Sequence, residues 1–352
     1  MFSESSRPPP AFDPSGPAVH DGLFGLPHTA EEADVVVIPV PWEPTTSYRK
    51  GTASGPANVL EASRQVDLFD RTFGRPYERG IAMLPIADEL RWLDREANEL
   101  SKPIIERGGA DGDPDLERAL ARVNALCREL DTRVEALAAS WLDRGRGVGV
   151  LGGDHASPLG LIRAVARRHP GVGVLHLDAH ADLRRAYEGF ERSHASIMFN
   201  VHETIPDVAK IVQVGIRDLS EEEHDLATSS PRIACFFDDD LAKRAHAGEP
   251  WRDTVSAILS ALPERVHLSF DIDGLDPSLC PGTGTPVPGG LDFRQVNAML
   301  AAVADSGRMI VGFDLCEVAG GHAWDGNVGA RLLYKMIGAM SLTRTRAGAR
   351  SG

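Results

Sequence analysis

The chain has little cysteine, and what it has is scattered. Cys127, Cys235, Cys280 and Cys316 lie far apart, with no paired CxxC spacing. That argues against a disulfide framework or a thiolate metal site and predicts free thiols in a reducing compartment. Positive charge is scarce as well. Lys and Arg number 37 against 51 Asp and Glu, for a formal net charge of −14. A phosphate backbone needs a cationic face, so nucleic acid is not the expected partner. An acidic mouth can instead attract a cationic substrate. No apolar run approaches the roughly 20 residues that span a bilayer. The first ten residues hold no basic segment leading into an apolar one. These absences predict a cytoplasmic protein with no membrane contact. There is also no internal repeat and no interior linker.

What is present suits a large core. The chain has 352 residues, 42% of them hydrophobic, enough for one big α/β domain. Residues 1–30 are rich in Pro, Ser and Gly and are expected to form a flexible N-terminal arm. Residues 31–345 read as a single domain. β-branched and apolar runs predict strands at 35–40, 147–151, 172–177, 211–214, 233–237, 266–270 and 309–313. Helical patterns fall between most of them. Pro56 opens one through Val59, Leu60 and Ala62. Asp113 and Pro114 open a long one that runs past Val123, Leu130 and Val134 to Trp141. Ser157 and Pro158 open another, and two more are read over 254–262 and 293–304. Residues 71–112 give no clear pattern. Strands alternating with helices predict a mostly parallel sheet covered on both faces.

The chemistry is concentrated at strand ends. Leu175-His176-Leu177 leads into Asp178-Ala179-His180-Ala181-Asp182. In an extended backbone alternate side chains share a face, so Asp178, His180 and Asp182 are expected to point one way. Alone, this could be a polar turn. Three further strand ends change the weighing. They are Gly152-Gly153-Asp154-His155, Asp271-Ile272-Asp273 and Asp314-Leu315-Cys316-Glu317. In open α/β sheets ligands bind at the carboxyl ends of the strands. His155, Asp178, His180, Asp182, Asp271 and Asp273 give two imidazoles and four carboxylates with no thiolate. Such donors suit manganese or a similar first-row ion. Six donors suit two ions, about 3.5–4 Å apart, better than one. A water bridging them has a lowered pKa, which nominates hydrolysis at an sp2 carbon. His194 can carry protons or be a surface histidine. Glu317 can hold a planar cation bidentately or be an ordinary helix-leading glutamate.

These motifs, together with Ser269-Phe270-Asp271-Ile272-Asp273-Gly274-Leu275-Asp276-Pro277-Ser278 and Pro281-Gly282-Thr283-Gly284-Thr285-Pro286, resemble the ureohydrolases, the family of arginases and agmatinases. The resemblance spans roughly residues 35–340. It implies a three-layer α/β/α sandwich in a trimer or hexamer. It also implies two manganese ions, with nickel or cobalt as alternatives, and hydrolysis of a guanidino compound to urea and an amine. By the same resemblance His155 and Asp182 go mainly to one ion and His180 to the other, with Asp178 and Asp271 bridging. Asp182 takes the proton toward the leaving amine, His194 matches the proton-carrying histidine, and Glu317 matches the glutamate that holds the guanidinium.

Departures concern the substrate. The loop over residues 183–192, Leu-Arg-Arg-Ala-Tyr-Glu-Gly-Phe-Glu-Arg, lacks the Asn/Thr/Ser-rich arginase pattern and looks agmatinase-like, with Tyr187 as a substrate contact. Glu317 is followed by Val318-Ala319-Gly320-Gly321-His322 where the family commonly has a small polar residue and Pro. Residues 87–112 look longer than usual. His322 and Trp324 could line an altered pocket or simply pack. The alternatives are guanidinobutyrate, guanidine, arginine or formimidoylglutamate as substrate, or a non-catalytic regulatory homologue. A one-zinc deacetylase of related architecture fits less well, because its site has fewer carboxylates.

Overall fold

The computed structural model describes residues 12–351, with side chains to residue 348. Eight strands form one sheet in the order β2-β1-β3-β8-β7-β4-β5-β6. They are β1 (Val35–Val40), β2 (Ile81–Met83), β3 (Gly147–Gly152), β4 (Val172–Leu177), β5 (Val208–Ile216), β6 (Ile233–Phe237), β7 (Arg265–Asp271) and β8 (Met309–Cys316). Every pairing is parallel. Parallel strands need crossovers, and helices supply them.

The central strands are apolar on both faces, which is why they read as continuous runs. Alternate residues feed two separate cores. Val35, Val37, Leu175, Leu177, Leu268 and Phe270 face one helical layer. It is made of α1 (Gly55–Ser63), α7 (Asp238–His246), α8 (Trp251–Ser260), α9 (Phe293–Asp305) and α10 (Ala323–Ser351). Val36, Ile38, Val148, Val150, Val174 and Ile211 face the other. It is made of α2 (Asp88–Arg107), α3 (Pro114–Asp143), α4 (Leu159–Arg168), α5 (Ile197–Thr204) and α6 (Glu221–Ser229). Each fully buried Val or Leu contributes about 1.5–3 kcal/mol, so the two cores dominate stability. The result is a three-layer α/β/α sandwich.

The predicted strands and the long α3 are present. Asp113 caps α3 by accepting from the Asp115 and Leu116 amides at 3.0 and 3.4 Å. The start of α4 differs from expectation. Pro158 is its N-cap, without a side-chain cap, and the buried Ser157 hydroxyl caps nothing. The unread stretch 71–112 holds β2 and the 20-residue α2. The expected flexible arm is described from residue 12 onward, residues 1–11 lying outside the described part. Within it Leu23, Phe24 and Leu26 are buried. The Phe24 ring meets Tyr334 edge-on at 4.7 Å, and its amide donates to Ser63 Oγ at 2.9 Å.

Candidate metal centre and proton path

Strands β3, β8, β7 and β4 are neighbours in the sheet. Their carboxyl ends deliver His155, Glu317, Asp271 with Asp273, and Asp178 with His180 and Asp182 to one crevice. The donors form two adjoining groups that share Asp178. In the first, His155 Nδ1 lies 3.0 Å from Asp178 Oδ2, 3.2 Å from Asp182 Oδ2 and 3.4 Å from Asp271 Oδ2. In the second, His180 Nδ1 lies 3.1 Å from Asp273 Oδ2 and 3.5 Å from Asp178 Oδ1. The two oxygens of Asp178 therefore face different groups, as a bridging carboxylate requires.

The backbone fixes these aims. Asp178 Oδ1 accepts the His180 amide at 2.6 Å, and Asp271 Oδ1 accepts the Asp273 amide at 2.9 Å. Asp273 Oδ1 accepts the Ala179 amide at 3.1 Å, tying the β4 end to the β7 end. The chain is not extended through Asp182, whose φ is +54°. This turn, rather than simple alternation, brings its carboxylate to His155. Glu317 also has positive φ, +61°. Its Oε1 accepts the His155 amide at 3.0 Å, and Thr283 Oγ1 donates to its carbonyl at 2.8 Å.

Several supporting residues carried no role in the sequence reading. His155 Nε2 meets Ser269 Oγ at 3.0 Å. Ser269 donates to Asp314 Oδ1 at 2.9 Å, and Asp314 Oδ2 meets His267 Nε2 at 2.6 Å. Gln213 Nε2 donates to His176 Nδ1 at 3.0 Å, which leaves His176 Nε2–H for Asp178 Oδ2 at 2.9 Å. Such partners orient a ligand and set its tautomer. His176 was legible in principle, since it shares the period-two face of Asp178.

The electrostatics fit divalent cations. Burial would raise Asp178, but hydrogen bonds from His155 and His176 outweigh it and hold the carboxyl well below its usual range. Burial and the charge of Asp178 lift Asp182 to about 6, and burial with Asp273 pushes Asp271 well up. Burial opposes protonation of His155 and His180, yet their carboxylate neighbours raise both well above the usual value. Protons on the two imidazoles thus balance the carboxylates. A metal ion displaces such protons and supplies the same charge. The oxygen and nitrogen donors, without thiolate, suit a hard or borderline ion.

A cavity of about 170 Å3 opens beside this cluster, lined by Ser47, His180, Asp182, Arg184, Tyr187, His194, Ala195, Asp218, Glu223 and Thr285. Tyr187 meets His194 edge-on, with ring centroids 6.0 Å apart, and the Arg184 guanidinium sits 5.2 Å from the Tyr187 centroid. His194 Nδ1 lies 3.2 Å from Thr45 Oγ1. Burial, then His180 and Lys50, hold its imidazole down to about 3. His322 pairs with Asp325 at 2.6 Å, and Trp324 Nε1 donates to the Ser278 carbonyl at 3.0 Å, so both are engaged away from this lining.

The arginase family profile matches residues 33–341. The chain belongs to the arginase family. Among curated members, the N(1)-aminopropylagmatine ureohydrolase of Thermus thermophilus is 34% identical over 324 residues, covering 91% of this chain and 95% of that protein. The agmatinase of Bacillus anthracis is 32% identical, over 82% and 84%. The crystal structure of the agmatine ureohydrolase of Thermoplasma volcanium superposes with a TM-score of 0.69 at 20% identity, over 93% and 96% of the two chains. That likeness establishes the arginase fold. Family membership makes the chain a hydrolase of amidine C–N bonds.

Proposed function

We propose that residues 31–345 form one catalytic domain that hydrolyses a guanidino amine to urea and a shorter amine. The observation that carries this reading is the pair of donor groups joined by Asp178. The similar aminopropylagmatine ureohydrolase and agmatinase support the substrate class. The wall of the cavity supports a cationic tail. Asp218 is part of that lining, while Arg184 is engaged by Glu223 at 3.4 Å and by Tyr187.

His155, Asp182, Asp178 and Asp271 would hold one ion, and His180, Asp178, Asp271 and Asp273 the other, with manganese as the reading for both. When bound, such ions supply Lewis acidity that makes water a competent nucleophile near neutral pH. Glu317 orients the guanidinium through paired N–H donors. An Asp182 oxygen accepts the proton of the attacking water and passes it to the leaving nitrogen. As the C–N bond breaks, the amine departs with that proton, and the protonated urea left from the cationic substrate gives its hydroxyl proton to the freed Asp182 carboxylate. His194 exchanges protons with bulk solvent. The reading includes a homo-oligomer, trimeric or hexameric, and a cytoplasmic setting. Four unpaired cysteines suit a reducing compartment.

The test is urea release from agmatine, N(1)-aminopropylagmatine, guanidinobutyrate, guanidine and arginine, after separate reconstitution with manganese, nickel and cobalt. Urea from a guanidino amine is the expected result. Two bound metals with no urea from any compound would overturn the reading and favour a non-catalytic subunit.

A further inference from the structure

The loop after β1 reaches the proton path. Thr45 is fully buried, as is Asp154 of the Gly-Gly-Asp-His turn. Thr45 Oγ1 has three polar neighbours. It donates to Asp154 Oδ2 at 3.2 Å, accepts the His194 backbone amide at 3.2 Å, and lies 3.2 Å from His194 Nδ1. A hydroxyl has one hydrogen and two lone pairs. With its hydrogen directed at Asp154, both remaining contacts must be N–H donors. The imidazole therefore carries its hydrogen on Nδ1.

We propose that Thr45 is a positioning residue for the proton-carrying histidine: anchored on Asp154, its hydroxyl holds His194 in the Nδ1–H tautomer and leaves Nε2 as the proton-accepting nitrogen at the cavity. A histidine that must take and release protons works only if the accepting nitrogen faces the reaction, and its partner on the other nitrogen decides that. The arrangement is an Asp-hydroxyl-His chain, with a threonine where a triad has direct contact between carboxylate and imidazole.

The anchor is itself held. Asp94 Oδ1 on α2 accepts the Glu43 amide at 2.9 Å, and Lys50 Nζ donates to Asn98 Oδ1 at 3.0 Å. Helix α2 thus clamps both ends of the loop that carries Thr45.

The inference rests on the reading of His194 as proton carrier, and two measurements separate them. The first needs no turnover. Long-range proton–nitrogen NMR of the zinc-loaded, histidine-labelled enzyme, with His194→Gln for assignment, should show His194 protonated on Nδ1. Protonation on Nε2 would overturn the proposal. The second is a cycle of Thr45→Val, His194→Ala and the double variant, measured by urea release with two metals bound. Thr45→Val should lose about tenfold to a hundredfold in kcat, with KM moving less than about twofold. The double variant should be no worse than His194→Ala, since residues acting as a unit are non-additive. Thr45→Ser should restore most of the loss. Additive losses, or a Ser variant as poor as Val, would overturn the role of Thr45. An active His194→Ala would overturn the proton-carrier reading instead. If Thr45→Val does not fold, Thr45→Ala serves in the same cycle.

Discussion

At the scale of single residues, two crevice positions hold strained backbone. Asp182 and Glu317 are non-glycine residues at positive φ, a conformation costing about 1–2 kcal/mol each. Such strain persists where surrounding structure over-determines it, and it gathers at functional positions. Gly153 shows a different constraint. A Cβ there would stand 1.9 Å from the Trp42 carbonyl oxygen, so the glycine serves close approach of the β1 and β3 ends rather than an unusual turn. Asp273 illustrates what a donor does for its neighbours. It faces His180 with one oxygen and the Ala179 amide with the other. Replacing it with Ala should lower bound metal below two equivalents, read by elemental analysis. Supporting partners of a metal ligand are worth about 10–100-fold, so loss of a ligand should cost more than about 100-fold in turnover. A variant that keeps both metals and full activity would remove Asp273 from the centre.

At the scale of elements, α2 is the instructive case. Its buried face, Leu90, Leu93, Ala97, Ser101 and Ile104, keeps helical spacing. The signal is thin because most of the other positions are charged or polar and Pro103, which in sequence marks a helix break, falls inside the helix. α10 has a weak amphipathic stripe for the opposite reason. Gly326 and Gly338 admit Asn58 and Phe73 at distances a side chain would forbid, and Gly329 packs tightly against Val318, so packing rather than an amphipathic stripe determines its sequence. α2 also carries a pH dependence. Burial raises Asp94 from 3.8 to about 6, against the opposing hydrogen bond from the Glu43 amide. A folded value above the unfolded one means stability that is complete below pH 3.8 and lost as pH rises through about 6. Asp94→Asn keeps an acceptor for the Glu43 amide without the charge. Its melting temperature relative to the parent should rise between pH 4 and pH 7, about the span of the titration. A constant difference across that range would show that Asp94 titrates normally.

At the scale of the whole molecule, the sheet order matters most. Chain order runs β3, β4, β7, β8, while sheet order runs β3, β8, β7, β4. Four segments spread along the chain from Gly147 to Glu317 thus become neighbours at about 4.8 Å spacing, and one crevice collects all six candidate ligands. Concentrating buried carboxylates there makes the fold dependent on compensating charge. Divalent cations should therefore stabilise the whole domain. Removing them with a chelator should lower the melting temperature by about 5 °C, and adding manganese back should restore it. An unchanged melting temperature would mean that the cluster is balanced by protons alone.

The sequence by itself determined seven of the eight strands, the parallel α/β class and the local donor pairs. These depend on short-range rules: apolar runs make buried strands, and alternate residues at a strand end share a face. That made Asp178 with His180, and Asp271 with Asp273, legible as pairs. Only the tertiary structure decided which pairs meet. The shared role of Asp178, the turn that aims Asp182, the Ser269–Asp314 chain behind His155 and the contact between Thr45 and His194 join residues from separate strand ends. No local pattern encodes those distances, because strand order and the packing of α2 and α10 are properties of the assembled sheet.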